Sequence, residues 1–210
     1  AAPGSRRMII DHRRVKLDEA QRFIEQHHTH SQPLKRHMFS IAVHSGERDK
    51  SGEIEWQDTC GVATVDNCSS AWSSDYNKLE LRRLCFKRGA PKNVASYLLS
   101  QVAKAAFGMG AFELVTYTKP WENGASLRAC GWRLMMRAKI SLLADGEPTG
   151  GRMTWILDRS SPATEKNREW TNDVVEATNE RWAELMNEYY GRLEGDEYVG
   201  VLWPFREGVS

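Results

Sequence analysis

The sequence predicts an α/β domain built on a mixed, twisted sheet, followed by a helical appendage. Three observations carry this. Short β-prone runs flank one strongly periodic helix in the middle of the chain, which implies a parallel strand pairing there. Runs before and after that helix follow one another across short turns, which implies antiparallel edges. Past residue 160 the pattern changes to a single long helical stripe.

Residues 8–15 form a β-prone run. Leu17, Ala20, Phe23 and Ile24 then recur at helical spacing, and the helix runs into His27-His28-Thr29-His30 with Pro33 just beyond. Residues 38–43 alternate apolar with small or polar side chains and predict a strand. The charged, Gly-containing stretch 45–53 predicts a turn, and 54–65 the partner strand, where Gly61 suggests a bulge or a close backbone approach. Residues 66–77 are polar and Ser-rich, hence a loop, and 78–86 predict the next strand. The helix expected at 93–107 has one face of Val94, Leu98, Val102 and Ala105, widened by Ala95, Leu99 and Ala106, and ends at Gly108 and Gly110. A strand at 114–118 and a short helix at 123–129 follow. Two late strands, 133–143 and 152–157, are expected to be joined by a turn at 145–151. In 165–193 the stripe is Val175, Trp182, Met186, Tyr189 and Leu193, and the apolar tail 198–205 is expected to pack back on the body. The expected division is therefore a domain over 8–158 and a helical extension over 160–210, covered by the body or by a second copy in a homodimer. Trp170, Trp182, Trp203, Tyr189 and Tyr190 read as packing or dimer contacts rather than as base-stacking groups.

Composition narrows the function. The chain has 210 residues, enough for one sizeable domain, and a net charge of +1. No overall field draws it to nucleic acid or membrane, so any such binding needs a local patch. No apolar run is long enough for a transmembrane helix, and no membrane partner is expected. The first seven residues lack the apolar core of a signal peptide, and Ala1–Ser5 read as a vector-derived leader. Cys60, Cys68, Cys85 and Cys130 form no CxxC pair; they read as reduced, structural thiols of a cytoplasmic protein. His27 and His30 could share a helix face, but no acidic or cysteine ligand stands beside them, and no metal is expected.

Chemistry concentrates in LELRRLCFKRGAPKNVASYLL, residues 79–99. A strand runs into a loop with Gly89 and Pro91, and the loop opens the longest periodic helix of the central region. A helix start presents unpaired N–H groups with partial positive charge, a natural seat for a diphosphate. Gly89 allows close backbone approach; Lys87, Arg88 and Lys92 add charge. Asn93 is expected to cap the helix, and Ser96 to reach a phosphate from the first turn. An ordinary strand-to-helix turn with solvated basic residues fits the same segment. Farther on, residues 117–132 read YTKPWENGASLRACGW.

On these two segments the chain resembles the GNAT superfamily of N-acetyltransferases. In that family a basic, Gly-containing loop after the fourth strand binds the coenzyme A pyrophosphate, and a later strand leads to an Asn-x-x-Ser helix closed by Gly and an aromatic. Asn123, Ser126, Gly131 and Trp132 match the second motif; Lys87-Arg88-Gly89-Ala90-Pro91-Lys92-Asn93 departs from the usual Arg/Gln-x-x-Gly-x-Gly/Ala of the first. The resemblance covers about residues 8–157 and is closest to a phage-encoded branch with Glu-x-x-Arg-Leu, here Glu80 to Leu84, distantly similar to the Mom proteins that modify adenine in phage DNA.

The resemblance implies an acetyl-CoA or related acyl-CoA cofactor, with Leu84, Phe86, Arg88, Gly89, Ala90, Lys92, Asn93, Ser96, Tyr97, Asn123 and Ser126 as its binding residues. It implies transfer of an acyl group to an amine, with DNA among the candidate acceptors. Glu80 is the candidate base on the strand lining the thioester, or else an ion-pair partner of Arg82 or Arg83. Tyr117 is the candidate acid for the leaving thiolate, or else a half-buried strand aromatic. In the family the first helix and the loop after it often flank the acceptor site; His27, His28, His30 and His37 here read as a polar rim of that cleft, or else as substrate contacts. Two other readings stay open: a Mom-like DNA adenine modifier, and a non-catalytic binding protein on the same fold.

Overall fold

The computed structural model describes residues 7–27, 33–48, 51, 53–68, 77–160 and 163–193. Strands β1 (Arg7–Val15), β2 (Phe39–Arg48), β3 (Ile54–Asn67), β4 (Lys78–Phe86), β5 (Glu113–Thr118), β6 (Arg133–Met136) and β9 (Met153–Asp158) form one sheet in the order β1-β2-β3-β4-β5-β9-β6. β4 and β5 run parallel and the other neighbours antiparallel. Helix α1 (Leu17–His27) covers one face and α2 (Val94–Gly108) the other, while α3 (Ala125–Ala129) is a single short turn.

Each helix lies where its apolar stripe can be buried. Ala20, Phe23 and Ile24 of α1 pack with Val15, Ala42, Val62 and Cys85. Val94, Leu98, Leu99, Val102 and Ala106 of α2 enter the main core with Phe39, Ile41, Val43, Val65, Leu79, Leu81, Leu114 and Trp155. Full burial of Leu98 and Leu99 contributes about 1.5–3 kcal/mol each. Ala105, expected on the buried face, is only half-buried at its rim.

β2 continues through the stretch expected to be a turn, reaching Arg48, because both flanking strands supply a ladder: Ile10 lies opposite Ser45, and Trp56 opposite Gly46. Pairing on both sides overrides weak local propensity. Beside Gly61 the β2–β3 register shifts between Val43 and His44, and a Cβ on Gly61 would lie 2.7 Å from the Phe86 ring. The close approach expected there is a ring laid on the backbone.

The late hairpin is also different. Residues 133–143 are two strands, not one. β6 pairs with β9, the chain turns at buried Ala138, and β7 (Ile140–Leu142) pairs with β8 (Pro148–Gly150) in a separate two-stranded ribbon. The ribbon is closed by Leu143 N–H to the Glu147 carbonyl at 2.9 Å and held at its base by Gly151 N–H to the Lys139 carbonyl at 2.9 Å. The two late strands still pair antiparallel as β6 and β9, and β9 lies between β5 and β6.

Helix α4 (Glu165–Leu193) lies against β6 and the ribbon strand β8, and touches α3 at Arg128 and the loop before it at Pro120 and Trp121. The Thr171 hydroxyl accepts the Leu134 N–H at 3.2 Å, Arg128 donates to the Asn172 side-chain oxygen at 2.8 Å, and the Trp182 ring lies 4.9 Å from that of Trp121. Val175, Trp182, Leu185 and Met186 are buried, whereas Trp170 is exposed and Tyr189 meets Tyr190 edge to face. The tail 198–205, with Trp203, and also His28 and His30, lie outside the described residues. No helix is long and apolar enough to cross a membrane, among the described residues.

Candidate functional site

The strands β4 and β5 are partners for three residues only: Lys78–Glu113, Leu79–Leu114 and Glu80–Val115. Beyond Glu80 they part, and the Thr116 hydroxyl donates to the Leu81 carbonyl at 2.9 Å where they separate. The cause is a bulge. Thr64 pairs with Arg83 but its neighbour Val65 pairs with Leu81, so Arg82 is an extra residue in β4. An extra residue bends the strand and exchanges its faces. Leu79 and Leu81 point into the main core, and after the bulge it is Leu84 and Phe86 that pack there, half-buried, while Cys85 joins the α1 side. From Arg82 to Phe86, β4 keeps β3 on one flank and, among the described residues, no strand pairs with it on the other.

The parted strand leads to α2 through two successive turns. Ala90 N–H bonds the Lys87 carbonyl at 3.0 Å, with Gly89 at φ 76; Val94 N–H bonds the Pro91 carbonyl at 3.3 Å, with Asn93 at φ 69 and ψ −1. A left-handed residue in the third position is the signature of a type II turn, and glycine and asparagine are the residues that adopt it most readily. Asn93 therefore does not cap the helix as expected: its side chain makes no capping bond, because its backbone is spent on the turn. The Ser96 hydroxyl donates to the Asn93 carbonyl at 3.0 Å. Among the described residues, the N–H groups of Arg88, Gly89, Lys92, Asn93, Ala95 and Ser96 make no bond within the chain. Lys87, Arg88, Gly89, Lys92 and Asn93 are exposed, and nothing lies within 4 Å of where a Gly89 Cβ would be. Free donors, three cations and open space above Gly89 fit a diphosphate.

The second predicted segment folds back onto the same helix start. The Cys130 thiol, at the end of α3, reaches the Ser96 carbonyl at 3.6 Å, and burial pushes that thiol's pKa up. Asn123 accepts the Ala125 N–H at 3.0 Å and Gly124 is left-handed, so α3 starts two residues later than expected. Ser126 is half-buried within α3, and Trp132 is buried in the core. Tyr97 turns the other way: its hydroxyl meets His12 Nδ1 on β1 at 2.9 Å, and burial, with a smaller contribution from Asp11, raises its pKa.

Glu80 and Tyr117 lie on the opposite face of the sheet, the α1 side. Glu80 is buried, 3.8 Å from Arg82 Nε. Asp66, opposite Glu80 in the ladder, is 3.8 Å from Arg82 and 3.2 Å from Arg36. Tyr117 is half-buried with the Arg152 guanidinium 5.9 Å from its ring centre. His37 meets the hydroxyl of buried Ser40 at 2.6 Å on this side, whereas His27 stacks on Phe23. No three metal-ligating side chains gather among the described residues. Sequence reasoning missed Asp66, Arg36 and Arg152. Their only signal is the period-two alternation that assigns a face to each strand position, and it becomes readable once the strand order and the bulge are known.

No protein-family model and no curated protein matches the sequence. Among solved structures the likeness is clear: the fold is that of the GNAT acetyltransferases. A protein of Acinetobacter baylyi ADP1 designated an acetyltransferase aligns with TM-score 0.52 and 9% identity over 77% of this chain and 99% of its own. One designated a phosphinothricin N-acetyltransferase aligns at 0.51 and 12% over 73% and 100%. The IAA acetyltransferase of Bacillus cereus aligns at 0.50 and 11% over 71% and 99%. At these identities the shared property is the fold.

Proposed function

We propose that the chain is an acyl-CoA-dependent N-acyltransferase that binds acetyl-CoA, or a related acyl-CoA, at residues 87–97 and acylates an amine at the opening between β4 and β5. The observation that carries this is the run of free backbone donors and basic side chains at the start of α2, reached directly from the strand that parts from its neighbour. The cofactor supplies an activated thioester. The chain's own groups then have separate tasks. The N–H groups around Gly89 to Ser96, with Arg88 and Lys92, hold the diphosphate. The exposed backbone of β4 past Arg82 can donate to a developing oxyanion. Glu80 takes a proton from the acceptor ammonium, and Tyr117 returns one to the departing thiolate. Ala90, Leu84, Phe86 and Tyr97 shape the wall, and Asn123 and Ser126 support it through α3.

Isothermal titration with acetyl-CoA tests the reading. Binding tighter than millimolar, about 4 kcal/mol, is expected, and weaker binding overturns it. Mass analysis of nucleosides and small molecules from expressing cells then identifies the acceptor. The likeness of residues 80–84 to the phage Mom branch makes DNA one acceptor to examine. An adenine modification without coenzyme A binding would replace acyl transfer with Mom-type chemistry, and neither activity would leave a binding protein.

A further inference from the structure

The strand register collects charge on the α1 side of the β4–β5 opening. Glu80 and Arg83 lie opposite Asp66 and Thr64, and Tyr117 lies opposite Thr154, so these side chains share one face. Arg152 stands two residues before Thr154 on the same face, its neighbour Met153 being turned into the main core. Among the described residues, Arg36, Arg82, Arg83 and Arg152 gather here with two carboxylates, Asp66 and Glu80. Asp66 is held by Arg36 and Arg82, and Glu80 lies beside Arg82. Arg152 is exposed, rests on the Tyr117 ring and makes no ion pair among the described residues. Arg83 is half-buried and donates to the Arg82 carbonyl at 2.8 Å; burial first, and then the charges of Arg82 and Arg152, lower its pKa against the opposing pull of Glu80. Like charges brought together on a half-buried face repel, and a bound anion relieves that repulsion. Arginine forks suit phosphate and carboxylate oxygens in particular.

We infer that Arg152 and Arg83 form an anion-binding subsite beside Tyr117, which seats a phosphate or carboxylate group carried by the acceptor amine. This rests on the acyltransferase reading of the opening, and it narrows the substrate class: the acceptor bears a negative group near its amine. Neutral amines lack the group that Arg152 recognises.

The test uses the full chain saturated with coenzyme A, so that the helix start is filled, and titrates inorganic phosphate and, separately, acetate by calorimetry. Wild type, Arg152→Gln and, as a control for lost charge, Arg181→Gln on α4 are compared. The expected result is that one anion binds wild type and Arg181→Gln equally, and Arg152→Gln at least about tenfold more weakly. Preference for phosphate points to a phosphorylated acceptor, and preference for acetate to a carboxylated one. Binding of neither anion to wild type, or equal binding to wild type and Arg152→Gln, overturns the subsite. Coenzyme A affinity is measured first on both proteins. Its absence from wild type defeats the transferase reading alone, and the anion titration repeated without coenzyme A still judges the subsite by its dependence on Arg152.

Discussion

The indole of Trp155 lies against Gly124, so closely that a Cβ on the glycine would sit 2.5 Å from a ring carbon. The same indole donates to the Thr118 hydroxyl at 2.8 Å, so the ring fastens the end of β5 to the start of α3. Gly124 is also left-handed, at φ 60. Gly124→Ala therefore meets both a strained backbone, about 1–2 kcal/mol, and an overpacked contact, about 1–3 kcal/mol. Urea denaturation should show a combined loss of at least about 2 kcal/mol. An unchanged midpoint would mean that α3 is free to move off the ring.

Trp182 ties α4 to the body. It is buried, faces Trp121, and lies near Gly150 of the ribbon, while Asn179 donates to the Pro120 carbonyl. Trp182→Ala should cost about 3–5 kcal/mol, read as a fall in melting temperature. Removal of residues 163–210 should leave an insoluble or much destabilised chain. A truncated chain that melts like the full one would show that α4 is dispensable for the fold.

Gly89 separates conformation from contact. Its φ of 76 disfavours most side chains, although the space around it is open. Asparagine tolerates that conformation and valine does not. Gly89→Asn should melt close to wild type yet bind acetyl-CoA at least about tenfold more weakly, because any Cβ stands where the diphosphate must approach. Gly89→Val should lose stability as well. Full affinity in Gly89→Asn would place the ligand elsewhere.

Glu80 and Tyr117 are tested by rate. Glu80→Gln should lower kcat/KM by about 10²–10⁴ if it accepts the acceptor's proton. Tyr117→Phe keeps the ring beneath Arg152 and removes only the hydroxyl, so it should lower kcat with little change in KM. Rates within about threefold of wild type for Glu80→Gln would reduce that residue to a partner of Arg82.

The thiols predict an alkaline instability. Burial pushes Cys85 from the ordinary value of 9.0 up to about 11, and raises Cys60 and Cys130 as well. Between pH 9 and 11 the unfolded chain releases the Cys85 proton that the folded chain keeps, so stability falls as pH rises, by up to about 1.4 kcal/mol per pH unit from that thiol, and Cys60 and Cys130 act in the same direction. Denaturation midpoints at pH 8 and pH 10 should differ in that direction. Half-buried Cys68 and Cys130 should react with iodoacetamide before buried Cys60 and Cys85, and simultaneous labelling of all four in the native state would contradict the burial.

Local pattern alone determined much of this protein. The 3.6-residue stripe set out α2 to within a residue of each end, and α4 over its full length, because each stripe has a single face that can be buried. Strand β4 was legible from Lys78 to Phe86, and so was the turn that follows it, since glycine and proline between a strand and a helix mark a change of direction. Only the tertiary structure decided which way those residues face. The bulge at Arg82 exchanges the two sides of β4, and it exists because β3 and β4 pair out of step at Thr64, a relation between strands that no single segment encodes. The insertion of β9 between β5 and β6 likewise brings Arg152 onto Tyr117 from 35 positions away in the sequence. Asn93, expected as a cap, became the left-handed corner of a turn because the chain had to enter α2 from a strand that had already left its partner. A strand's composition tells that it alternates; only its neighbours, through register, decide which set of side chains meets the main core and which meets the opposite face.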